Sequence, residues 1–314
     1  MAESVAQPLV AALLVNYRGA EMTLQCVADL FAVEDVTLRI AVLDNGSGEA
    51  EVHRLREGIL AMDDGQHQAE VISLGENFGF TGGMNRGLGL EQVQGAPYVL
   101  VLNNDMRLPK DFVRPLVDVL RNDPSVGVVG PTVVHSDGTV WAEGGEIGFT
   151  PNGLRLLRHG KQPSDRSGGP EEVGFLTGAC MLLRRDAFVD VGGFDDDYFM
   201  YWEDVDLSDR LRSGGHRVVW LPWVRVEHFG GQSSGGGRSP LRKFLMACNA
   251  VRYLKARGTL KGWSGWLLFD VLLWPITCLM GPRAAWAKLL GTVAGLRGHR
   301  AGASDVERLL ARKP

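Results

Sequence analysis

Three apolar runs, Leu9–Val15, Thr37–Leu43 and Tyr98–Leu102, each end abruptly in polar residues. The first stops at Asn16-Tyr17-Arg18-Gly19, the second at Asp44-Asn45-Gly46-Ser47, the third at Asn103-Asn104-Asp105. Largely apolar runs without strict alternation predict strands buried on both faces, the condition of a parallel sheet. Helical spacing lies between them, over Glu21–Phe31 (Met22, Cys26, Leu30) and Val52–Met62. Glu70–Leu74 predicts one more short strand. Strands that alternate with helices imply an α/β fold, a mostly parallel sheet with helices on both faces. Asn16, Asp44, Asn77 and Asp105 would then gather at the carboxyl edge, where such sheets bind ligands. Any one of them is equally explained as a turn-forming residue. Four at equivalent strand ends point to a site.

The second half of the chain is less regular. A helix is expected over Lys110–Arg121, followed by Val126-Gly-Val-Val-Gly130. Ser136–Pro170 is Gly-rich and strand-poor, and Val173–Leu183 is apolar. A helix start at Asp186 and the loop Gly192-Gly-Phe-Asp-Asp-Asp-Tyr198 come next. A helix over Val205–Ser213 closes at Gly214-Gly215, and Arg217–Leu221 leads into Val224–His228. Between the loop and that helix, Phe199-Met-Tyr-Trp-Glu-Asp-Val-Asp-Leu207 packs Glu203, Asp204 and Asp206 behind three aromatics. Carboxylates this close repel, and neighbouring rings raise their pKa by desolvation. A general base, a metal site or acids drawn to a helix N-terminus each account for the cluster.

Charge is unevenly spread. The net charge of −4 gives no overall pull toward nucleic acid, which is not expected as a partner. From Arg238 to Lys313, however, the basic residues are opposed only by Asp270, Asp305 and Glu307. Such a tail suits a polyanion or an anionic membrane surface. Within it, the Trp-rich apolar segment 262–281 is about long enough to span a bilayer. Asp270 and Pro275 weaken a span, and flanking Lys and Arg favour a helical hairpin lying in the interface. The alternative is a helical pair packed on the main domain or, in a homodimer, on a second subunit. Cys26, Cys180, Cys248 and Cys278 form no CxxC pair, so neither a zinc site nor a disulfide framework is expected. That usage suits a cytoplasmic protein, and the acidic start with a short apolar run does not fit a signal peptide. The Gly/Ser stretch Gly230–Ser239 reads as a flexible lid or linker.

Asn77-Phe-Gly-Phe-Thr-Gly-Gly-Met-Asn-Arg-Gly87 combines glycines that admit close approach, a helix N-terminus and Arg86. It is neither a dinucleotide fingerprint nor a phosphate loop with Gly-Lys-Ser/Thr, and a tight loop before a helix explains it as well. Asp105 alone is a weak metal signal. A single histidine such as His228 is more often structural than a ligand.

Taken in order, these motifs resemble a known family. Val-Asn-Tyr, Leu-Asp-Asn-Gly-Ser, Asn-x-Gly-Phe-x-Gly-Gly-x-Asn-x-Gly, Leu-Asn-Asn-Asp, Gly-Ala-Cys-Met-Leu-x-Arg-Arg, Gly-Gly-Phe-Asp, Glu-Asp-x-Asp-Leu and a late His follow one another. The chain is similar to the inverting glycosyltransferases of family 2, with the GT-A fold, and within them to the bacterial rhamnosyltransferase-like branch. The resemblance runs from Leu9 to about Ser234 and leaves out the basic tail. It implies a glycosyltransferase domain over 1–235, with a nucleotide-sugar half over 1–105 and an acceptor and catalytic half over 106–235. A helical region, 236–314, follows.

The resemblance also implies roles. Asp105 matches the last aspartate of the family's metal motif, whose first aspartate is Asn103 here, and His228 matches an additional metal ligand. Asn16, Tyr17, Asp44, Asn77, Gly83, Arg86 and Asn104 fall at nucleotide-sugar positions, Gly178 and Trp202 where acceptor and donor sugar are held. Asp204 matches the catalytic base, with Glu203 as a supporting or acceptor-site residue and Asp206 as a first-turn acid. A divalent metal (Mg2+ or Mn2+) and Arg86 would then neutralise the leaving diphosphate while Asp204 deprotonates the acceptor hydroxyl, inverting the anomeric carbon in one displacement. The implied donor is dTDP-rhamnose, or else a UDP-sugar (galactofuranose, glucose or N-acetylglucosamine). The implied acceptor is lipid-linked or a polysaccharide of the cell envelope, met by a peripheral protein at the cytoplasmic face of the membrane. A nucleotidyltransferase would need a second acid and a basic triphosphate loop, neither of which is visible. A catalytically inactive carbohydrate-binding protein of this fold is disfavoured by the joint presence of Asp105, Asp204 and His228.

Overall fold

The computed structural model describes residues 7–62, 65–149, 153–165, 167–230 and 239–310. The first half alternates as its sequence requires: β1 (Leu9–Asn16), α1 (Ala20–Phe31), β2 (Thr37–Asp44), α2 (Glu49–Met62), β3 (Gln68–Ser73), α3 (Gly79–Leu88), α4 (Glu91–Gln94) and β4 (Tyr98–Leu102). The second half holds β5 (Met106–Arg107), α5 (Val113–Asn122), β6 (Val126–Val134), β7 (Val140–Ala142), β8 (Gly145–Ile147), β9 (Leu154–Leu156), β10 (Glu171–Glu172), β11 (Cys180–Arg184), α6 (Arg185–Asp190), α7 (Glu203–Ser213) and β12 (Arg217–His228).

The main sheet has the order β10-β12-β6-β11-β4-β1-β2-β3, with β5 on β12 and β7 on β6. β1 runs parallel to both β2 and β4, and β2 to β3. β11 is antiparallel to β4 and β6, so the sheet is mixed: two parallel blocks meet across one reversed strand. Chain order turns at β1, which sends β2 to one side and receives β4 on the other. That switch point opens a crevice at the carboxyl ends of β1 and β4.

Burial follows the apolar runs. Val10, Ala12 and Leu14 of β1 face one core with Leu30, Leu38, Leu100 and Leu116, while Ala11 and Leu13 face a second core with Met84, Val99 and Phe188. A strand buried on both faces loses its alternation for this reason. Each fully buried leucine contributes roughly 1.5–3 kcal/mol relative to exposure.

Several boundaries differ from expectation. α5 begins at Val113 rather than Lys110, because Pro115 lacks an N–H and is tolerated within the first turn. α7 begins at Glu203 rather than Val205, so Glu203, Asp204 and Asp206 all lie in its first turn. Arg217–His228 is one strand, with a register shift between Leu221 and Arg225 around Pro222, which has no ladder donor. The stretch expected to be strand-poor contains the β8–β9 hairpin. The Gly/Ser stretch expected as a lid or linker lies, apart from Gly230 and Ser239, outside the described residues.

The tail is helical as expected: α8 (Pro240–Arg257), α9 (Leu260–Trp266), a π-helical turn (Leu267–Leu272), α10 (Trp274–Met280), α11 (Pro282–Leu296) and α12 (Ala303–Leu310). Ser239 caps α8 by accepting from the Arg242 amide, with Pro240 at the first position. Val251, Tyr253, Leu254 and Trp266 bury against Phe149, Phe175, Tyr198 and Trp202, so the tail packs on the main domain. No helix among the described residues is long and apolar enough to cross a membrane. All four cysteines are free.

Candidate active site

The polar strand ends are wired together. Asn104 donates to the Thr23 hydroxyl at 2.8 Å, Thr23 to Asn16 Oδ1 at 2.8 Å, and Asn16 Nδ2 to Asp44 Oδ2 at 2.8 Å. Asp44 also accepts from the Ser47 amide at 3.0 Å, which fixes the turn after β2. Asn16 and Asp44 are fully buried and lie behind the cavity wall, whereas Tyr17, Arg18, Asn45 and Asn104 line it. Arg18 has φ 54 and sits 5.0 Å from the centroid of the Tyr17 ring.

Asp105 and His228 come from opposite halves of the chain. β12 pairs antiparallel with β5, and that register places His228 opposite Met106. His228 Nε2 lies 3.0 Å from Asp105 Oδ1, and Asn103 Nδ2 lies 3.3 Å from the same nitrogen. Trp141 packs edge-on against the imidazole at 4.8 Å. Both residues are about 5% exposed and face the cavity (Asp105 6%, His228 5%). Among the described residues there is no group of three or more His, Cys, Asp or Glu that could hold a metal ion. One carboxylate and one imidazole are a donor set that could supply two ligands to a divalent cation.

Asp204 is held by backbone. Its Oδ2 accepts from the Gly178 amide at 3.0 Å and its Oδ1 from the Val205 amide at 2.8 Å. Burial pushes its pKa up from 3.8 to about 6, and those two amides limit the rise. Beside it, burial and the charge of Asp204 push Glu203 well above the usual carboxylate range. Burial thus raises both carboxyls, and Glu203 carries the added repulsion of the Asp204 charge. Glu203 Oε2 has no hydrogen-bond partner among the described residues and lines the cavity. Asp206 points elsewhere, into Arg210 at 2.7 Å and Arg257 at 3.0 Å, which makes it structural.

The backbone that delivers these acids is unusual. Tyr201 has φ 70 and Trp202 φ 76, two successive left-handed residues that are not glycine. Such geometry costs roughly 1–3 kcal/mol per residue and persists only where the surroundings enforce it. Trp202 is clamped between Phe149, stacked at 5.8 Å, and Tyr253 at 5.1 Å. It borders the cavity but is itself 2% exposed.

The Gly-rich loop meets this turn directly. Phe80 N donates to the Phe199 carbonyl at 2.9 Å. Gly79, at φ 73, lies where a Cβ would collide with that same carbonyl. Asn77 Oδ1 accepts from the Gly79 amide at 2.9 Å, and Asn45 Nδ2 donates to the Gly79 carbonyl at 2.7 Å. Asn77 lines the cavity, but Gly83 is buried where a side chain would meet Val15, and serves helix–strand packing. Arg86 packs over the Phe78 ring at 3.3 Å and donates to the Gly82 carbonyl at 3.0 Å, away from the cavity wall.

One cavity of about 1130 Å3 therefore joins Tyr17, Asn77, Asn104 and Asp105 to Gly178, Trp202, Glu203, Asp204 and His228. The wall also holds four Arg and Lys side chains that were not named as site residues: Arg18, Arg242, Lys243 and Lys288. Arg18 directly follows a recognised strand end, a signal that was available. The other three come from the helical tail, and nothing in their spacing showed which face they occupy.

The chain is similar to known glycosyltransferases. The chain is 28% identical over 278 residues to the N-acetylglucosaminyl-diphospho-decaprenol L-rhamnosyltransferase of Mycobacterium tuberculosis (strain ATCC 25618 / H37Rv), covering 79% of this chain and 84% of that protein. Its fold resembles a mannosyltransferase from Pyrobaculum calidifontis solved with GDP-Man and Mn2+, at TM-score 0.58 and 16% identity over 98% of this chain and 79% of that one. It also resembles GalNAc-T7 solved with UDP, GalNAc and Mn2+, at TM-score 0.61 and 13% identity over 97% of this chain and 57% of that one. The family described as glycosyl transferase family 2 matches residues 12–192, more than half of the chain, which is therefore a member of that family and a glycosyltransferase.

Proposed function

We propose that the enzyme is a metal-dependent, inverting rhamnosyltransferase that moves rhamnose from dTDP-rhamnose to a lipid-linked diphosphate acceptor in cell-envelope glycan synthesis. The observation that carries this reading is the shared cavity: Asp105 and His228 face it from the sheet edge, and Asp204 faces it from α7. The mycobacterial relative, an N-acetylglucosaminyl-diphospho-decaprenol L-rhamnosyltransferase, supports the sugar and the lipid.

Asp105 and His228 would hold a divalent cation, Mg2+ or Mn2+, which supplies positive charge to the departing diphosphate. Tyr17, Asn77 and Asn104 border the space for the nucleotide, with Arg18 offering a fork for phosphate. Asn16, Asp44 and Gly83 act from behind that wall by fixing the β1 and β2 ends, and Arg86 by bracing the loop. Asp204, ionised above pH 6, takes the proton of the acceptor hydroxyl, which attacks the anomeric carbon from the face opposite the leaving group. Glu203, whose Oε2 lines the cavity without a partner among the described residues, would hydrogen-bond a sugar hydroxyl. Gly178 keeps one Asp204 oxygen fixed, and Trp202 bounds the sugar site.

The protein works as a peripheral enzyme on the cytoplasmic membrane face. Leu267, Leu268, Leu272, Leu273 and Ile276 are all exposed on the tail beside a basic surface, which supports an interfacial hairpin. Turnover of purified full-length enzyme with Mn2+ and a short-chain N-acetylglucosaminyl-diphospho-prenol tests the whole reading. Transfer from dTDP-rhamnose, with inverted anomeric configuration and loss of activity in EDTA, is expected. Transfer from a UDP-sugar alone, or undiminished turnover in EDTA, would overturn the donor or the metal.

A further inference from the structure

We propose that Arg242, Lys243 and Lys288 form a second anion site on the cavity wall contributed by the helical tail, and that it takes the diphosphate of a polyprenyl-diphosphate-linked acceptor. This rests on the lipid-linked acceptor proposed above and adds the place where its diphosphate docks.

All three side chains line the same cavity as Asp204. Lys288 is paired with Asp270 at 2.6 Å. Neither Arg242 nor Lys243 has an ion-pair partner among the described residues; Arg242 instead lies 5.7 Å from the centroid of the Tyr201 ring. The wall therefore presents two cations outside any ion pair beside the Lys288–Asp270 pair. Lys243 is partly buried, and an ammonium taken from water without a counter-ion is destabilised. Burial first, then the charges of Arg242 and Lys288, push its pKa below the ordinary lysine range, and the charge of Asp270 offsets only part of this. A dianionic ligand relieves both effects at once.

The neighbouring surface selects the kind of anion. Met246, Ala247, Ala250 and Trp266 line the cavity on this side. The π-helical turn that carries Asp270 also exposes Leu267, Leu268 and Leu272 to the outside. A basic cluster that gives way to an apolar strip matches the junction between a diphosphate and an isoprenoid chain. The nucleotide diphosphate does not need this wall, because Asp105, His228 and Arg18 belong to the sheet edge. The cluster is also tied to the chemistry. Tyr201, beneath Arg242, lies in the turn that leads into Glu203 and Asp204, so a diphosphate held here sets the reach of the first acceptor sugar toward the base.

Binding without turnover separates this inference from the proposed reaction. Full-length enzyme in detergent micelles is titrated calorimetrically with farnesyl diphosphate, farnesol and inorganic pyrophosphate, and separately with dTDP in Mn2+. Farnesyl diphosphate should bind more tightly than either farnesol or pyrophosphate. Lys243→Gln and Arg242→Gln should each weaken it about tenfold. Lys243→Arg should restore most of the affinity, and dTDP binding should be unchanged in all three. Unchanged farnesyl diphosphate affinity in the double Gln variant would overturn the site, as would an equal loss of dTDP binding, which assigns the cluster to the donor. Pyrophosphate binding as tightly as farnesyl diphosphate would remove the lipid. Loss of binding to phosphatidylglycerol vesicles with farnesyl diphosphate affinity intact would assign the cluster to the bilayer. An enzyme that fails to transfer rhamnose but binds farnesyl diphosphate in this pattern keeps the site and loses only the proposed donor.

Discussion

Asn249, fully buried in α8, donates through Nδ2 to the Tyr201 carbonyl at 2.8 Å and reaches the Met200 carbonyl at 3.0 Å. A helix of the tail thereby holds the left-handed turn that delivers Asp204. Asn249→Ala leaves both carbonyls to find other partners, and each lost bond costs about 1–3 kcal/mol where the group stays buried. Urea denaturation should show that loss. At permissive temperature kcat should fall while the affinity for dTDP, proposed to bind at the other wall, stays the same. Unaltered kcat would separate the tail from the catalytic turn.

Asp204 titrates at about 6, so the proton-accepting form dominates above that pH. The kcat/KM profile should climb with pH through an apparent value near 6 and level off by pH 7.5. Asp204→Asn should lower kcat at least 10^2-fold, about the least that a general base contributes, while donor affinity is retained. A flat profile between pH 5 and 8 would remove Asp204 from the proton transfer.

The same shift has a consequence for stability. A carboxyl whose folded pKa lies above its unfolded one contributes stability below the unfolded value, and that contribution is lost as pH rises through the folded value. For Asp204 the window runs from 3.8 to about 6. At pH 8 the ionised side chain therefore destabilises the fold, and Asp204→Asn should raise Tm by roughly 2–4 °C there, with little gain at pH 4. Differential scanning calorimetry at the two pH values checks it.

Asp105→Ala and His228→Ala remove the two side chains proposed to hold the cation. Each should weaken Mn2+-dependent dTDP binding by about tenfold or more while leaving the metal-free affinity unchanged. Calorimetric titration with and without Mn2+ separates the two. Wild-type binding that ignores Mn2+ would refute the role of both residues.

Gly79→Ala places a methyl group against the Phe199 carbonyl at a backbone position with φ 73. Strain of about 1–3 kcal/mol is expected, and because Phe80 donates to that carbonyl, the loop and the catalytic turn should loosen together. Tm and kcat should both fall. Gly138→Ala, with a similar φ of 80 but open space around it, should cost stability without affecting kcat.

Leu272 is 63% and Ile276 55% exposed on the tail. Replacing both with Glu should lower binding to phosphatidylglycerol vesicles roughly tenfold or more in a sedimentation assay. Wild-type enzyme that stays in the supernatant would refute the interfacial reading.

The sheet was legible because a strand buried on both faces must be apolar throughout and must stop where the chain meets solvent. β1, β2 and β4 follow their apolar runs to within a residue, and the polar residues at their ends do collect at one edge. Legibility fell where local pattern and tertiary demand part. Arg86 reads as a phosphate fork, and here its guanidinium stacks on Phe78 with Nη1 donating to the Gly82 carbonyl. Asn16 and Asp44 read as ligands, yet their hydrogen bonds go to each other and to the turn.

The order of motifs by itself determined the family, the α/β fold and the pairing of an acid at a strand end with an acid at a helix start. Only the tertiary structure decided how the two adjacent acids are held. Glu203 and Asp204 are adjacent in the chain and chemically alike, yet the Gly178 amide, from a distant segment, fixes Asp204 Oδ2, while Glu203 Oε2 has no partner among the described residues. The same holds for the tail. Its basic and apolar composition is visible in the sequence, but whether a helix lies on a membrane or walls a cavity depends on which face packs. The contacts of Trp202 with Tyr253 and of Tyr201 with Asn249 set that face.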